Sequence, residues 1–499
     1  MIPSLPELMP HQVLARDHIL AQPKAALWLD VGGSKTLSTL VGLFHARPAG
    51  HILVVAPASI ARSTWFDEIE KWGFPLRTKS LIDNDNDRPY SRKKRHEVYQ
   101  QVLTDPPTMY FITVGLIHDL VEQMPKKAGV IQWPFSTVVI DEAQEFMNPQ
   151  SRRFKALKKV QPAISRMVQL TGTPAPSGLL DIWSQMYLLD GGQALGRRFS
   201  DYRAEFFHPT MYVQNRPVKW ELREGAKEEI YRRISHLVMS AENVSIPKPP
   251  ITYQQINIRL PKDVQQEYRQ FARDMVLELA HPDPKDPRTI VITGDNAAIM
   301  HNKLLQYASG TMYTDDSTAD DRPYSVIHTE KLEMTDYLIR NNGGSPVIVA
   351  HRFKSDRTQL LNYLTKAGHQ VSVFDGSRAM VADWNAGKIE VLLLQPQSAR
   401  HGLNMQEGGH TFIWYTLPDS YEYYHQANGR IARLGQKNPV TIYSLVTTGT
   451  RDERLPQMLE SKKTTSNDLV EAMRHDLDDL FDEDETMEDI LGDLDINPL

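Results

Sequence analysis

Short apolar runs recur along the chain, each closed by small or polar residues and separated from the next by an amphipathic stretch. In the first half these runs are Ala25-Ala26-Leu27-Trp28-Leu29, His51-Ile52-Leu53-Val54-Val55, Met109-Tyr110-Phe111-Ile112-Thr113, Thr137-Val138-Val139-Ile140 and Met167-Val168-Gln169-Leu170. Continuous rather than alternating hydrophobicity marks strands covered on both faces, as in a parallel sheet. Helical patterns lie between them, over 37–44 and again after Ser59, where Trp65, Phe66, Ile69 and Trp72 share one side. Residues 178–244 read as helical and rich in charges and aromatic rings, until Pro247, Pro249 and Pro250 break the chain. Next, 251–260 alternates like a strand, Pro261 opens a helix to about residue 280, and 281–287 and 315–322 read as loops. A second alternation follows, with strands at 346–350, 371–374, 391–394, 411–414 and 440–446. Strands alternating with helices predict a second parallel sheet. At 499 residues the chain is too long for one core. The expected fold is α/β: two nucleotide-fold halves, each a mostly parallel sheet flanked by helices, with a helical insertion and an acidic C-terminal tail. The boundaries fall at 1–245, 246–455 and 456–499.

Candidate chemistry collects where the runs end. The strand at 137–140 leads straight into Asp141 and Glu142, and ligands of open parallel sheets gather at the carboxyl ends of strands. Two adjacent carboxylates repel, and burying them is costly unless a cation or hydrogen bonds offset it. Mg²⁺ held with phosphates meets that need, because it takes one or two carboxylates and keeps its waters. The alternative is a solvated acidic turn. Upstream, the first strand enters Asp30-Val31-Gly32-Gly33-Ser34-Lys35-Thr36 and then a helical pattern, the arrangement of a phosphate-binding loop. Lys35 is then placed to reach the β- and γ-phosphates, and the Thr36 hydroxyl to hold Mg²⁺. The usual loop has Gly where Ser34 stands, since backbone meets phosphate closely there and φ is often positive. Either the loop is redrawn around Gly32 and Gly33, or nucleotide binding is weakened; a Gly turn capping a helix is the plainer reading.

Other strand ends offer Ala56-Pro57-Ala58-Ser59, Thr113, and Thr171-Gly172-Thr173-Pro174. Ser59 and its neighbours could meet a nucleic-acid phosphate, although a helix N-cap suits Ser59 equally. The run Arg92-Lys93-Lys94-Arg95 is either a solvated helix face or a phosphate contact. In the second half Arg430 and Arg433 are three apart, so on a helix they share a face, with Gln426 beside them. Two guanidinium groups there suit an anion with several oxygens. Across a cleft from a nucleotide they would serve as arginine fingers; otherwise they line a solvated face.

The net charge of −6 hides an uneven distribution: 468–499 holds 13 Asp or Glu against one Arg, a net of −12, which leaves +6 on the rest. A mildly basic body is compatible with a nucleic-acid binder. Without Cys there are no disulfides and no thiolate metal sites, which fits a reducing compartment. The 17 His residues are scattered without metal-ligand spacing. With no apolar run of 18 residues and no basic-then-apolar N-terminus, neither a membrane span nor a signal peptide is expected, and the expected location is cytoplasmic. The tail interleaves its acids with Leu477, Leu480, Phe481, Ile490 and Leu491, a spacing that permits an amphipathic helix over about 477–491. It is read as a solubilising tail, a brake on a basic groove, or a dock for a basic protein partner.

In this order the motifs resemble those of the superfamily 2 helicases, and within them the Swi/Snf-type translocases, particularly short phage-type members. The resemblance covers most of residues 5–455. Its most specific part is 426–436, which is similar to the Q-x-x-G-R-x-x-R-x-G-Q signature of that group. Gln12 resembles the nucleotide-pocket Gln; Gly32, Lys35 and Thr36 the first motif; Asp141-Glu142-Ala143-Gln144 the Walker B box; and Thr171-Gly172-Thr173-Pro174 the third motif. Ala56-Pro57-Ala58-Ser59 resembles the first DNA-contact motif, His351-Arg352 the fourth motif and Gly402-Leu403-Asn404 the fifth. The resemblance implies two RecA-like lobes with ATP at their interface and DNA across the top. It puts Gln12, Gly32, Gly33, Ser34, Lys35 and Thr36 around ATP, Thr36 and Asp141 on Mg²⁺, and Glu142 on the attacking water. Arg430, Arg433 and Gln426 complete the catalytic set. Pro57, Ser59, Thr113, Thr171, Thr173, His351, Arg352 and Asn404 face the DNA. The insertions of large chromatin remodellers are missing, so nucleosome remodelling is not implied. The function implied is an ATP- and Mg²⁺-dependent DNA translocase acting on duplex, forked or branched DNA with little sequence preference. It would remodel forks or junctions in replication, recombination or repair, in the host-cell cytoplasm if phage-encoded. An RNA-directed helicase, or a DNA-binding module with a degenerate nucleotide site, remains the alternative.

Overall fold

The computed structural model describes residues 7–30, 32–84, 88–176, 178–213, 216–240, 249–279, 281–283, 286–291, 294–314, 322–397 and 404–460. The tail beyond residue 460, with its expected amphipathic helix, lies outside them, as do Gly402 and Leu403. The chain divides into two compact units after Lys248.

The first unit is built on a seven-stranded sheet in the order Val238–Ser240, Lys24–Trp28, Arg166–Thr171, Phe135–Asp141, His51–Ala56, Met109–Thr113, Thr78–Ser80, all parallel. Phe135–Asp141 is the central strand, and Val138, Val139 and Ile140 are fully buried. Successive strand residues point to opposite faces. Val138 and Ile140 pack with Leu53, Ile112, Phe154 and Ile182 on one side. Val139 packs with Val54, Leu40, Val41 and Trp65 on the other. Both faces need apolar cover, so the run is continuous; each such side chain contributes about 1.5–3 kcal/mol.

The second unit carries a six-stranded parallel sheet in the order Ile251–Ile258, Val440–Thr447, Thr411–Trp414, Val347–Ala350, Val391–Leu394, Val371–Val373. Ile251–Ile258 is an edge strand, which explains its alternating pattern. Beneath the sheet ends lies a buried ion pair: the Lys331 amine donates to Asp452 Oδ2 at 2.5 Å and to the Tyr415 carbonyl at 2.9 Å. Both side chains are only 1% exposed.

The expected helical insertion needs correction. Helices Ile182–Asp190, Phe199–Phe206 and Ala226–Ile234 are present, but Phe207–Val213 and Arg216–Leu222 form an antiparallel hairpin between them. Pro209 and Pro217 cannot sit inside a helix, whereas a two-stranded ribbon has free edges that tolerate them. The strand Val238–Ser240 was also hidden in this stretch; three residues at a sheet edge carry too little pattern to read. Among the described residues no helix is long and apolar enough to cross a membrane.

Candidate functional site

In the first unit three neighbouring strands bring their carboxyl ends together, with Trp28 level with Thr171 and Leu170 level with Asp141. The loop after the first strand turns at Gly32 (φ 83°) and Ser34 (φ 50°), then enters the helix Lys35–Ala46. Ser34 thus holds the left-handed conformation that a Gly there would adopt, and the loop keeps its shape at a cost of about 1–2 kcal/mol. Ser34→Gly should therefore raise the unfolding free energy by about 1 kcal/mol. A higher urea midpoint at unchanged m-value would show it; a lower midpoint would mean that Ser34 carries no such strain. The Lys35 amine donates to the carbonyls of Leu29 (2.8 Å) and Asp30 (3.2 Å), and Thr36 is half-buried at the first turn. Helix Pro10–Ala21 packs on this helix, so closely that a Cβ at Gly42 would meet Ile19 at 3.0 Å. Gln12 is buried, and its side-chain oxygen accepts from the Met9 amide at 2.8 Å.

Asp141 is buried; its Oδ2 accepts from the Trp65 indole at 3.0 Å and its Oδ1 from the Glu142 amide at 3.1 Å. Burial and the Glu142 charge push the Asp141 carboxyl up to about 7, against the pull of Lys35 and these hydrogen bonds. A carboxyl so raised beside a second carboxylate is short of positive charge, and the donor set of Asp141 and Thr36 is the hard-oxygen set that suits Mg²⁺. Glu142 is itself left-handed (φ 59°, ψ 62°), a strain typical of functional positions. Its Oε2 accepts from the Gln144 amide at 2.8 Å, Gln144 Oε1 accepts from the Thr171 hydroxyl at 2.6 Å, and Thr171 Oγ1 accepts from the Thr173 amide at 3.0 Å. Thr171 is fully buried, so it is no surface contact for DNA; it is a strut tying two strand ends together.

Pro57 is buried, and Ser59 has helical torsions with no cap hydrogen bond, which removes the N-cap reading. The turn that follows, Ile60–Thr64, is π-helical, a widening frequent at functional sites. Thr113 is half-buried at its strand end and Thr173 lies just beyond its own. Of the basic run, Arg95 pairs with Asp119 and Lys94 with Glu97, so those two charges are answered locally.

In the second unit Arg352 grips Asp419 with both arms of its guanidinium (2.6 Å each) and also donates to Asn302. His351 is buried, which pushes its pKa down to about 4 and keeps it neutral. The expected DNA contacts at His351 and Arg352 are thus corrected: one is enclosed and the other is committed to a carboxylate. Asp419 precedes the helix Tyr421–Asn428, whose Gln426 is buried and donates to Glu422 at 3.0 Å. Arg430 and Arg433 do not share a helical face. The helix stops at Asn428, held by the Trp414 indole at 2.9 Å and followed by Gly429, and both arginines lie in the turns beyond. Arg430 is buried and its carbonyl accepts from the Met405 amide, which joins these turns to the segment of half-buried Asn404.

Residues 26–303 match the SNF2-related domain and residues 330–435 the helicase conserved C-terminal domain. The chain belongs to the SNF2-related helicases. Protein p41 of Acyrthosiphon pisum secondary endosymbiont phage 1 is 30% identical over 484 residues, 93% of this chain and 98% of that one. The DNA repair and recombination protein RAD54-like of Gallus gallus is 23% identical over 473 residues, 87% of this chain and 62% of that one. Among solved structures, the SWI2/SNF2 ATPase core of Sulfolobus solfataricus in complex with dsDNA is 19% identical, covers 95% of this chain and 96% of that one, and has a TM-score of 0.39. This SNF2-related chain is an ATP-binding, ATP-hydrolysing helicase/translocase core built on two parallel sheets flanked by helices.

Two groups beside these motifs, one in each unit of the SNF2-related chain, escape sequence reasoning. Trp65 reads as one more apolar helix residue, yet its N–H reaches a carboxylate 76 positions away. Asp419 joins Arg352, His301 and Arg451: the Arg451 Nε donates to His301 Nδ1, so the neutral His301 donates its Nε2–H to Asp419. Burial alone would raise the Asp419 carboxyl, but the His301 and Arg352 hydrogen bonds and the Arg352 charge hold it well below the usual carboxylate range. Its stabilising contribution is complete above the ordinary Asp value of about 4 and is lost as pH falls below it. Asp419→Asn should therefore lower stability at neutral pH and flatten the acid limb of a stability–pH curve; an acid limb as steep as that of the parent would exclude this network as its source.

Proposed function

We propose that this chain uses ATP hydrolysis to move along duplex, forked or branched DNA and to remodel forks or junctions. The observation that carries the reading is buried Asp141 beside half-buried Glu142 at the end of the central strand, with the Lys35 charge next to Asp141. Lys35 would leave its carbonyl partners for the phosphates. Thr36 and Asp141 would hold Mg²⁺, which when bound supplies positive charge against the phosphate oxygens. Glu142, fixed by Gln144, is aligned to take a proton from the attacking water. Arg430 and Arg433 supply guanidinium charge to the transferred phosphoryl group, and Gln426 and Gln12 orient neighbouring groups. Ser59, Thr113 and Thr173 on the first unit and Asn404 on the second meet the DNA backbone, whereas buried Pro57 does not reach it. Similarity to the DNA repair and recombination protein RAD54-like of Gallus gallus supports a repair or recombination setting. The preserved shape of the loop at Ser34 speaks against a degenerate nucleotide site.

Phosphate release measured with duplex, forked and single-stranded DNA and with RNA tests this. Strongest stimulation by duplex or forked DNA is expected, with steep salt dependence. Stimulation by RNA alone would shift the assignment to an RNA-directed helicase, and no release above background would leave only a binding module. Arg433→Ala should cut stimulated turnover by about 10³-fold with ATP binding retained; undiminished turnover would remove its catalytic role.

A further inference from the structure

A groove of about 700 Å³ on the first unit lies apart from the motif residues above. Lys155, Lys158, Arg197, Arg198 and Arg203 line it, and none of its lining residues is Asp or Glu. Lys155 and Lys158 are one turn apart on the helix Arg152–Val160; Arg197 and Arg198 come just before the helix Phe199–Phe206, and Arg203 from its last turn. Its floor is aromatic and buried, with Phe154 and Trp183 each 2% exposed. Rings also place the cations: the Lys158 amine is 4.4 Å from the centroid of Tyr187, and the Arg203 guanidinium 4.3 Å from that of Trp220. A ring face orients a cation without cancelling its charge. Among the described residues Lys155, Lys158, Arg197 and Arg203 form no ion pair. Arg198 pairs with Asp201, but both ends are largely exposed and the pair is screened by solvent.

Uncancelled cations along a groove rim suit a partner with closely repeated negative charge. We propose that this groove is an additional contact for the sugar–phosphate backbone of nucleic acid, lined by none of the strand-end motif residues; the inference rests on the DNA reading above. The acidic tail of the chain is the competing polyanion. Its apolar members such as Leu480 and Phe481 would want exposed apolar surface, whereas the Phe154 and Trp183 rings are covered.

The test is binding of a fluorescent mixed-sequence DNA duplex to the full chain and to K155E/K158E/R197E, across a range of NaCl concentrations. These three side chains are exposed, so folding is preserved; K155A/K158A/R197A serves as a milder control, and ATPase activity without nucleic acid should not change in either. Affinity should fall at least tenfold, and the slope of log K against log[NaCl] should become shallower by about 3 in the Glu variant and move in the same direction in the Ala variant. Equal affinity and slope would overturn the groove assignment while leaving DNA binding intact. Tighter duplex binding by the Glu variant than by the parent, with the difference lost when residues after Glu460 are deleted from both, would also overturn it, by showing that the groove holds the tail. No duplex binding by the parent would instead bring down the DNA reading, and this inference with it.

Discussion

Glu142→Gln should reduce nucleic-acid-stimulated phosphate release by about 10³-fold or more while ATP binding persists, since a positioned general base contributes about 10²–10⁴. Glutamine keeps one side-chain oxygen, so it can still accept the 2.8 Å hydrogen bond from Gln144, and the strut through Thr171 to Thr173 stays in place. What disappears is the carboxylate that takes the proton. Burial, the larger cause of the raised Asp141 carboxyl, remains, but the substitution removes the Glu142 charge that adds to it, so Asp141 should ionise at somewhat lower pH and hold a cation at least as well. Phosphate release and binding of a fluorescent ATP analogue, measured on one preparation, separate the two effects. Turnover above a tenth of the parent would mean that another group activates the water. Loss of nucleotide binding as well would mean that Glu142 supports the pocket rather than the reaction.

Lys331→Met should destabilise the second unit by about 3–5 kcal/mol, the usual result of leaving one half of a buried ion pair behind. The methionine fills much of the same space, so the loss comes from Asp452, whose carboxylate would remain enclosed with the Thr447 amide as a hydrogen-bond donor at 2.9 Å. The Tyr415 carbonyl would lose its donor as well. Replacing both charges, as in K331M/D452L, should recover most of the loss, because the cost lies in the unpaired charge and not in the missing attraction. Urea unfolding followed by hydrogen exchange in the strand Val440–Thr447 reads this unit directly. A single variant within 1 kcal/mol of the parent, well under the expected loss of about 3–5 kcal/mol, would show that water reaches the pair.

Both experiments probe positions whose roles were unequally visible in the chain. Glu142 could be found because its segment is self-announcing: three apolar β-formers in a row, then two acids. Only a central parallel strand makes sense of that run, and Phe135–Asp141 is the middle strand of seven. The glycine turn before Lys35 and Thr36 is legible for the same reason, since its chemistry is contiguous. Lys331 gave no such sign. A lysine among polar helix residues looks solvated until Asp452, 121 positions on, is folded against it. Arg352 likewise reads as a DNA contact until Asp419, 67 positions away, claims its guanidinium.

Local order, then, was written in the residues themselves: the buried strands of the two parallel sheets, and the paired acids and glycine turn at which two of them end. A run of side chains states what it must bury or expose, and that demand is met within a few residues of backbone. Folding alone assigned the partners. Trp65 to Asp141, Gln144 to Thr171 and Arg352 to Asp419 depend on contacts between distant segments, and no local pattern records them. The same holds for Arg430 and Arg433: three residues apart they suit one helical face, but the Trp414–Asn428 hydrogen bond and Gly429 end the helix just before them.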